Sequence, residues 1–202
     1  MPTIISSSTE QEMIATFLRG ELGSSRFRVS LEEALAKLGL TTKVVECPNL
    51  DDDPENEARR ELLVTYRGWG QEESLFGGLP VDSIEWFWVE LTEDELRDRV
   101  FTIEYFWEEF SHGSRRPFSI AERIRRRDPE VGVDLYLAIL EGVRRGQMPV
   151  EPIVVAEPTL ERMVILEGHA RITTYLVEPD LVRFPLRALI GVSAQMSRWS
   201  EW

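Results

Sequence analysis

Two short stretches gather the residue types that could do chemistry. In one, Glu167-Gly168-His169-Ala170-Arg171 interrupts a run of apolar residues. In the other, Ser111-His112-Gly113-Ser114-Arg115-Arg116 holds the second of the chain's two histidines. Each places a glycine, a histidine and an arginine just ahead of a segment with helical spacing. Glycine lets the backbone approach an anion closely. A helix N-terminus adds unpaired N–H groups and the positive end of a dipole. Arginine grips phosphate through two N–H groups, and histidine donates a hydrogen bond or moves a proton near neutral pH. Ser111, His112, Gly113, Ser114, Arg115, Gly168, His169 and Arg171 therefore form the candidate set for holding a phosphorylated ligand. The competing reading makes each histidine a satisfied structural residue and each arginine the partner of a nearby acid.

Carboxylates accompany both stretches. Glu108 and Glu109 precede the first in chain order, and Glu167 opens the second. If the two loops face each other, these acids suit Mg²⁺, which takes one or two carboxylates plus phosphate oxygens, or a general base for a hydroxyl. Glu167, His169 and Glu109 are thus the candidate catalytic residues, with Glu167 as the metal ligand. No G-x-x-x-x-G-K-[ST] or G-x-G-x-x-G motif and no kinase signature set occurs. Asp51-Asp52-Asp53 lacks the alternating ligands of an EF-hand and reads as a solvated loop.

The elements that must position these residues are legible from spacing and punctuation. Residues 162–166 predict a buried strand, 168–177 a helix, 152–156 a second buried strand and 184–191 a final strand. Ile84 to Leu91 is aromatic and β-branched, a strand. Residues 101–107 read as extended chain leading into the first loop, and Pro117 opens a helix after it. Another helix is predicted at 130–145, stopped by Gly146. Upstream, Thr9 caps a helix over 9–22, Ser30 opens one that ends at Gly39, 42–46 reads as a short strand and 54–67 as a helix. The glycine-rich stretch 68–82 marks a connector. The expected organisation is an N-terminal helical extension over 1–80 and an α+β core over 81–202, a small mixed sheet flanked by helices, the two packed as one unit.

Composition sets limits. The formal net charge is −13, which opposes general nucleic-acid binding. Acids crowd residues 46–95, where 15 acids face three arginines; residues 115–127 carry six arginines and one acid. Arg123, Arg126 and Arg127 read as a solvent face pairing with Asp128 or Glu130. The single cysteine, Cys47, excludes an internal disulfide and a thiolate-rich zinc site. No apolar run reaches about 18 residues, and Met1–Thr9 has no signal-peptide pattern, so a cytoplasmic protein is expected. The acidic face and the terminal pair Trp199 and Trp202 are candidate partner surfaces.

The stretch Val164-Ile-Leu-Glu-Gly-His-Ala-Arg-Ile-Thr-Thr-Tyr175 resembles the ParB/sulfiredoxin superfamily, whose members carry a strand ending in Asp-Gly-His-His-Arg or a variant, then a helix. Here the match is Glu167-Gly168-His169-Ala170-Arg171, and Met148–Val155 resembles the preceding strand. The likeness covers roughly residues 84–191. It implies a small α/β fold that binds ATP or CTP phosphates between two loops, with branches that hydrolyse CTP, reduce oxidised cysteine or phosphorylate free serine. The reductase's cysteine falls at His169, which excludes that chemistry. The kinases' aspartate is replaced by Glu167 and their second histidine by Ala170. The expectation is a nucleotide-binding protein, with phosphoryl transfer to a small hydroxylated metabolite as its activity. The alternatives are a nucleotide-sensing or protein-interaction module without turnover and, last, DNA binding through helix 118–127.

Overall fold

The computed structural model describes residues 1–104, 107–147 and 149–202. Tyr105 and Phe106, part of the extended chain expected at 101–107, and Met148, which opens the stretch resembling the family strand, lie outside the described residues. The fold is α+β, a six-stranded mixed sheet flanked by helices, as the sequence pattern predicts.

The sheet is built on two strands that the apolar runs place correctly. Strands β4 (Ile153–Ala156) and β5 (Met163–Glu167) pair antiparallel at its centre. All four residues of β4 and the first four of β5 are buried. Successive side chains of a strand point to opposite faces, so both faces here are covered. Parallel to β4 runs β6 (Leu186–Val192), which in turn pairs antiparallel with β2 (Glu85–Leu91). The short β3 (Val100–Phe101) lies parallel to β5 at one edge. The other edge is β1 (Thr3–Ser7), antiparallel to β2.

That last strand adds an element that the expected helical extension over 1–80 did not include. All five residues of β1 are exposed, so it has no buried alternation for a pattern to reveal. Its place is fixed by the β2 ladder and by the Met1 amino group, 3.0 Å from Glu95. The helical part of the first 80 residues is α1 (Glu10–Leu22), α2 (Arg28–Lys37), α3 (Lys43–Glu46) and α4 (Asp53–Arg67). Thr9 caps α1, its hydroxyl accepting from the Glu12 N–H at 3.1 Å. Asp52 caps α4 in the same way, so the aspartate run serves a helix start. Ser30 is not a cap: α2 begins two residues earlier, at Arg28. Residues 43–46 are helical rather than extended. Only Val45 of the two valines is buried, and the Thr42 hydroxyl bonds Glu46 one turn on.

In the second half, α5 (Glu93–Asp98), α6 (Trp107–Phe110), α7 (Pro117–Arg125), α8 (Asp134–Arg144) and α9 (His169–Val177) follow. Among the described residues of the extended chain expected over 101–107, only Phe101 is in a strand, and Trp107 already belongs to α6. Helix α7 packs on α9, as does α8. At α5 the Thr92 hydroxyl accepts from Glu95 N–H while the Glu95 carboxylate accepts from Thr92 N–H, a reciprocal cap. Thr92→Ala removes the first bond and is expected to cost about 1 kcal/mol in urea denaturation; an unchanged midpoint would refute the cap's role. Among the described residues no helix is long and apolar enough to cross a membrane.

Candidate functional site

The β5–α9 turn is shaped by one glycine. Gly168 adopts φ +100°, a conformation that side chains disfavour. A Cβ there would also meet the Pro152 Cβ at 3.0 Å and Arg171 Nη2 at 3.1 Å. The turn therefore needs glycine twice over, for conformation and for clearance. Gly168 is the N-cap residue of α9 and no side chain caps the helix. The first intrahelical bond runs from Ile172 N–H to Gly168 O. The N–H groups of the first turn are the ones that helix geometry leaves unpaired.

The turn opens on a cavity of about 960 Å³. Its walls come from Glu167 to Arg171, from Phe17, Gly20 and Glu21 of α1, and from Leu135, Ala138 and Ile139 of α8. The N-terminal helices thus complete a site whose sequence signature lies 150 residues away.

Within it, Glu167 and Arg171 form an ion pair one helical turn apart, their side chains only 12% and 11% exposed. Burial is the largest influence on Arg171 and lowers its pKa from the usual arginine range, against the raising effects of Tyr175, Glu21 and Glu151. Helix α1 lies directly over this pair. A Cβ on Gly20 would stand 3.1 Å from Arg171 Nη1 and 3.2 Å from Glu167 Cδ. Sequence reasoning missed Gly20. Its signal was a glycine inside a well-capped helix, which costs helix stability and needs a packing reason.

A second ion pair joins Glu21, 3% exposed, to Arg67, and the Tyr66 hydroxyl donates to the same carboxylate. Burial, then that carboxylate, pushes the Tyr66 pKa above its usual value. Arg26 and Arg67 stand over the Phe27 ring at 4.8 and 4.4 Å, and all three line the cavity.

His169 is fixed. Its ring stacks on Trp107, centroids 5.0 Å apart and planes 17° from parallel. Its Nε2 accepts from the Ile103 N–H at 3.3 Å, which leaves Nδ1 to carry the proton of the neutral ring. Burial first, then the charge of Arg115, lowers its pKa to about 3. One edge still faces the cavity. At neutral pH the ring is an uncharged donor.

The second loop does not join the first. None of Glu109, Ser111, His112, Gly113, Ser114 and Arg115 lines the cavity. The physical reason is that the loop satisfies itself. Ser111 Oγ donates to Glu108 O and accepts from the Arg115 N–H at 2.8 Å. Ser114 Oγ lies 2.9 Å from both Ser111 O and Ser119 Oγ. The Arg115 guanidinium donates to the carbonyls of Thr102, Glu201 and Trp202. His112 and Gly113 are exposed at positive φ, and the Glu109 side chain is exposed. The two-loop phosphate clamp and a base at Glu109 facing Glu167 are therefore not assembled. His112 has ligand atoms within 4.8 Å of Asp128 and Glu130, but Arg123 already bridges those carboxylates at 2.6 and 2.7 Å.

Two further expectations resolve on the same surface. Arg123 pairs with Asp128 and Glu130 as expected, though its side chain is only 11% exposed, and the exposed Arg126 pairs with Glu122 instead. Arg125 donates to the Val177 carbonyl at the end of α9 and so belongs to the packing. Trp199 is buried, its indole N–H donating to Leu75 O at 2.9 Å, and is not a partner surface. For Mg²⁺ the residues present do not fit. The Glu167 carboxylate holds Arg171 and the Glu21 carboxylate holds Arg67, so neither is free for a hard cation that prefers carboxylate and phosphate oxygens.

Fold and site together define an α+β protein with a mixed six-stranded sheet, in which a strand–glycine–helix turn opens on a cavity closed by N-terminal helices. No family model, no curated protein and no solved structure matches the chain.

Proposed function

We propose that the protein binds a nucleotide, ATP or CTP, in this cavity, with the phosphates at the N-terminus of α9. The observation that carries the reading is the meeting of an uncapped helix start with a cavity at the upper end of the small-molecule range of about 300–1,000 Å³. The dipole and unpaired N–H groups of α9 favour an anion there. Arg26 contributes a guanidinium to the wall, while Arg67 is held by Glu21. The resemblance at Glu167–Arg171 to the ParB/sulfiredoxin superfamily supports the same ligand class.

Phosphoryl transfer to a small hydroxylated metabolite is the finer reading. It requires Glu167 to leave Arg171, because a carboxylate held by a guanidinium is a weak base. The Glu167–Arg171 pair and the neutral, stacked His169 favour the second reading, a nucleotide-sensing module without turnover.

Equilibrium dialysis with ATP and CTP, each with and without Mg²⁺, tests the binding. Ala138→Trp fills the cavity from an exposed position on α8 and touches none of the polar groups named above. The wild type is expected to bind at least one nucleotide, and the variant at least about tenfold more weakly, the loss of about 1.4 kcal/mol of contact. No binding by the wild type, or equal binding by Ala138→Trp, refutes the site. Release of nucleoside diphosphate on adding a hydroxylated metabolite mixture would select the kinase reading over the sensor.

A further inference from the structure

Three arginines converge at the β3 edge of the sheet without an acidic side chain. Among the described residues, no aspartate or glutamate carboxylate lies within 4.0 Å of Arg115, Arg116 or Arg162. Arg123, Arg125, Arg126, Arg144 and Arg145 each hold a carboxylate, and acids outnumber basic residues by 36 to 23.

Aromatic rings and carbonyls hold the three in place instead. The guanidinium groups of Arg116 and Arg162 both lie over the Phe101 ring, at 4.6 and 4.3 Å. Arg162 also reaches the Trp202 ring at 5.5 Å. Arg116 donates through Nη1 to the carbonyls of Arg97 and Asp98, which leaves its other donors for a ligand. Arg115 spends its donors on the main-chain oxygens of Thr102, Glu201 and the last residue, Trp202, and is not counted toward the site. The Arg162 Nε is buried with no hydrogen-bond partner, and an unpaired buried donor is costly. Burial lowers the Arg162 pKa, and the charges of Arg115 and Arg116 add to that. Carbonyls and ring faces satisfy geometry but do not cancel the like charges of Arg116 and Arg162, which share one ring. An oxyanion with several acceptor oxygens would cancel charge and occupy the orphaned donor at once.

We propose that Arg116 and Arg162 form a binding site for the phosphate group of a small ligand, distinct from the cavity at α9. None of the three lines that cavity, so the site stands or falls independently of nucleotide binding there. The Phe101 and Trp202 rings place apolar surface next to the charge, which suits a phosphomonoester as well as the free anion.

Calorimetric titration of the full chain with inorganic phosphate and with phenyl phosphate, each against chloride at equal ionic strength, tests the proposal. The wild type is expected to bind one equivalent of at least one of the two. Arg162→Gln and Arg116→Gln are each expected to bind at least about tenfold more weakly, the loss of one charge-assisted contact. Arg187→Gln, which removes an arginine stacked on Trp88, is expected to bind as the wild type does. Tighter binding of phenyl phosphate would assign the site to an ester, and equal affinities to the free anion. Arg162→Lys retains the charge but loses the planar fork, and replaces the glutamine variant if that variant does not fold. Wild-type binding no stronger than that of chloride, or Arg162 variants that bind like the wild type, overturns the proposal.

Discussion

Arg171→Met is expected to lose about 3–5 kcal/mol of unfolding free energy, the cost of leaving one member of a buried ion pair without its partner. The Glu167 carboxylate would remain 12% exposed, beneath Gly20 of α1 and beside the apolar wall of the cavity. Water could not rehydrate it without displacing α1. The double variant Glu167→Leu/Arg171→Met removes both charges and is expected to recover most of the loss, because replacing a whole buried pair by apolar groups is often close to neutral. Urea denaturation of wild type, both single variants and the double variant closes the cycle. A single variant within 1 kcal/mol of wild type would show that the pair is solvated rather than sealed under α1. The double variant has a second use. With Arg171 gone, any remaining nucleotide affinity belongs to the α9 N–H groups and the Arg26–Arg67 wall.

The second large effect is a pH dependence confined to His169. Its pKa is lowered in the folded protein to about 3, whereas the unfolded chain titrates near 6.5. A histidine with a depressed folded pKa leaves the unfolded state holding more protons at acid pH. Its contribution to stability is complete above about pH 6.5 and is lost as pH falls from there toward 3. The limiting slope is about 1.4 kcal/mol per pH unit. His169→Gln lacks the titration. Unfolding free energies measured from pH 7 to pH 4.5 are therefore expected to fall more steeply for wild type than for the variant. Parallel curves for wild type and His169→Gln would mean that the ring is protonated in place, which its stacking on Trp107 and its acceptor role toward Ile103 oppose.

The two results bear on the same question, whether the turn at Gly168 is a working site or a rigid joint. A neutral histidine and a sealed ion pair are poor acid–base machinery but good fixed geometry. The groups that remain available to a ligand are the start of α9 and the cavity beside it. That separation is why phosphate binding there is a stronger reading than any particular reaction.

By itself the sequence determined the local structure that rests on residues close together in the chain. Thr9 and Thr92 cap helices because a short polar side chain reaches an N–H three residues on. Gly68 and Gly146 end helices at positive φ, and the apolar runs at 153–156 and 163–166 are buried strands because no polar residue interrupts them. The strand–glycine–helix at Gly168 belongs to the same class, as does the pairing of Arg123 with Asp128 and Glu130.

Tertiary structure alone decided what those elements meet. Nothing in Thr3–Ser7 announces a strand, because its five residues are exposed and only the β2 ladder orders them. Nothing near Glu167 and Arg171 announces Gly20, some 150 residues upstream, whose missing Cβ lets α1 close over the pair. The histidine loops look alike in sequence, yet the Ser111–Arg115 loop consumes its own donors while the Gly168 turn keeps those of α9 open. Local signals act through fixed covalent spacing. Which surfaces face each other is set by the sum of many weak packing contacts over the whole chain, and that sum is not legible at any one residue.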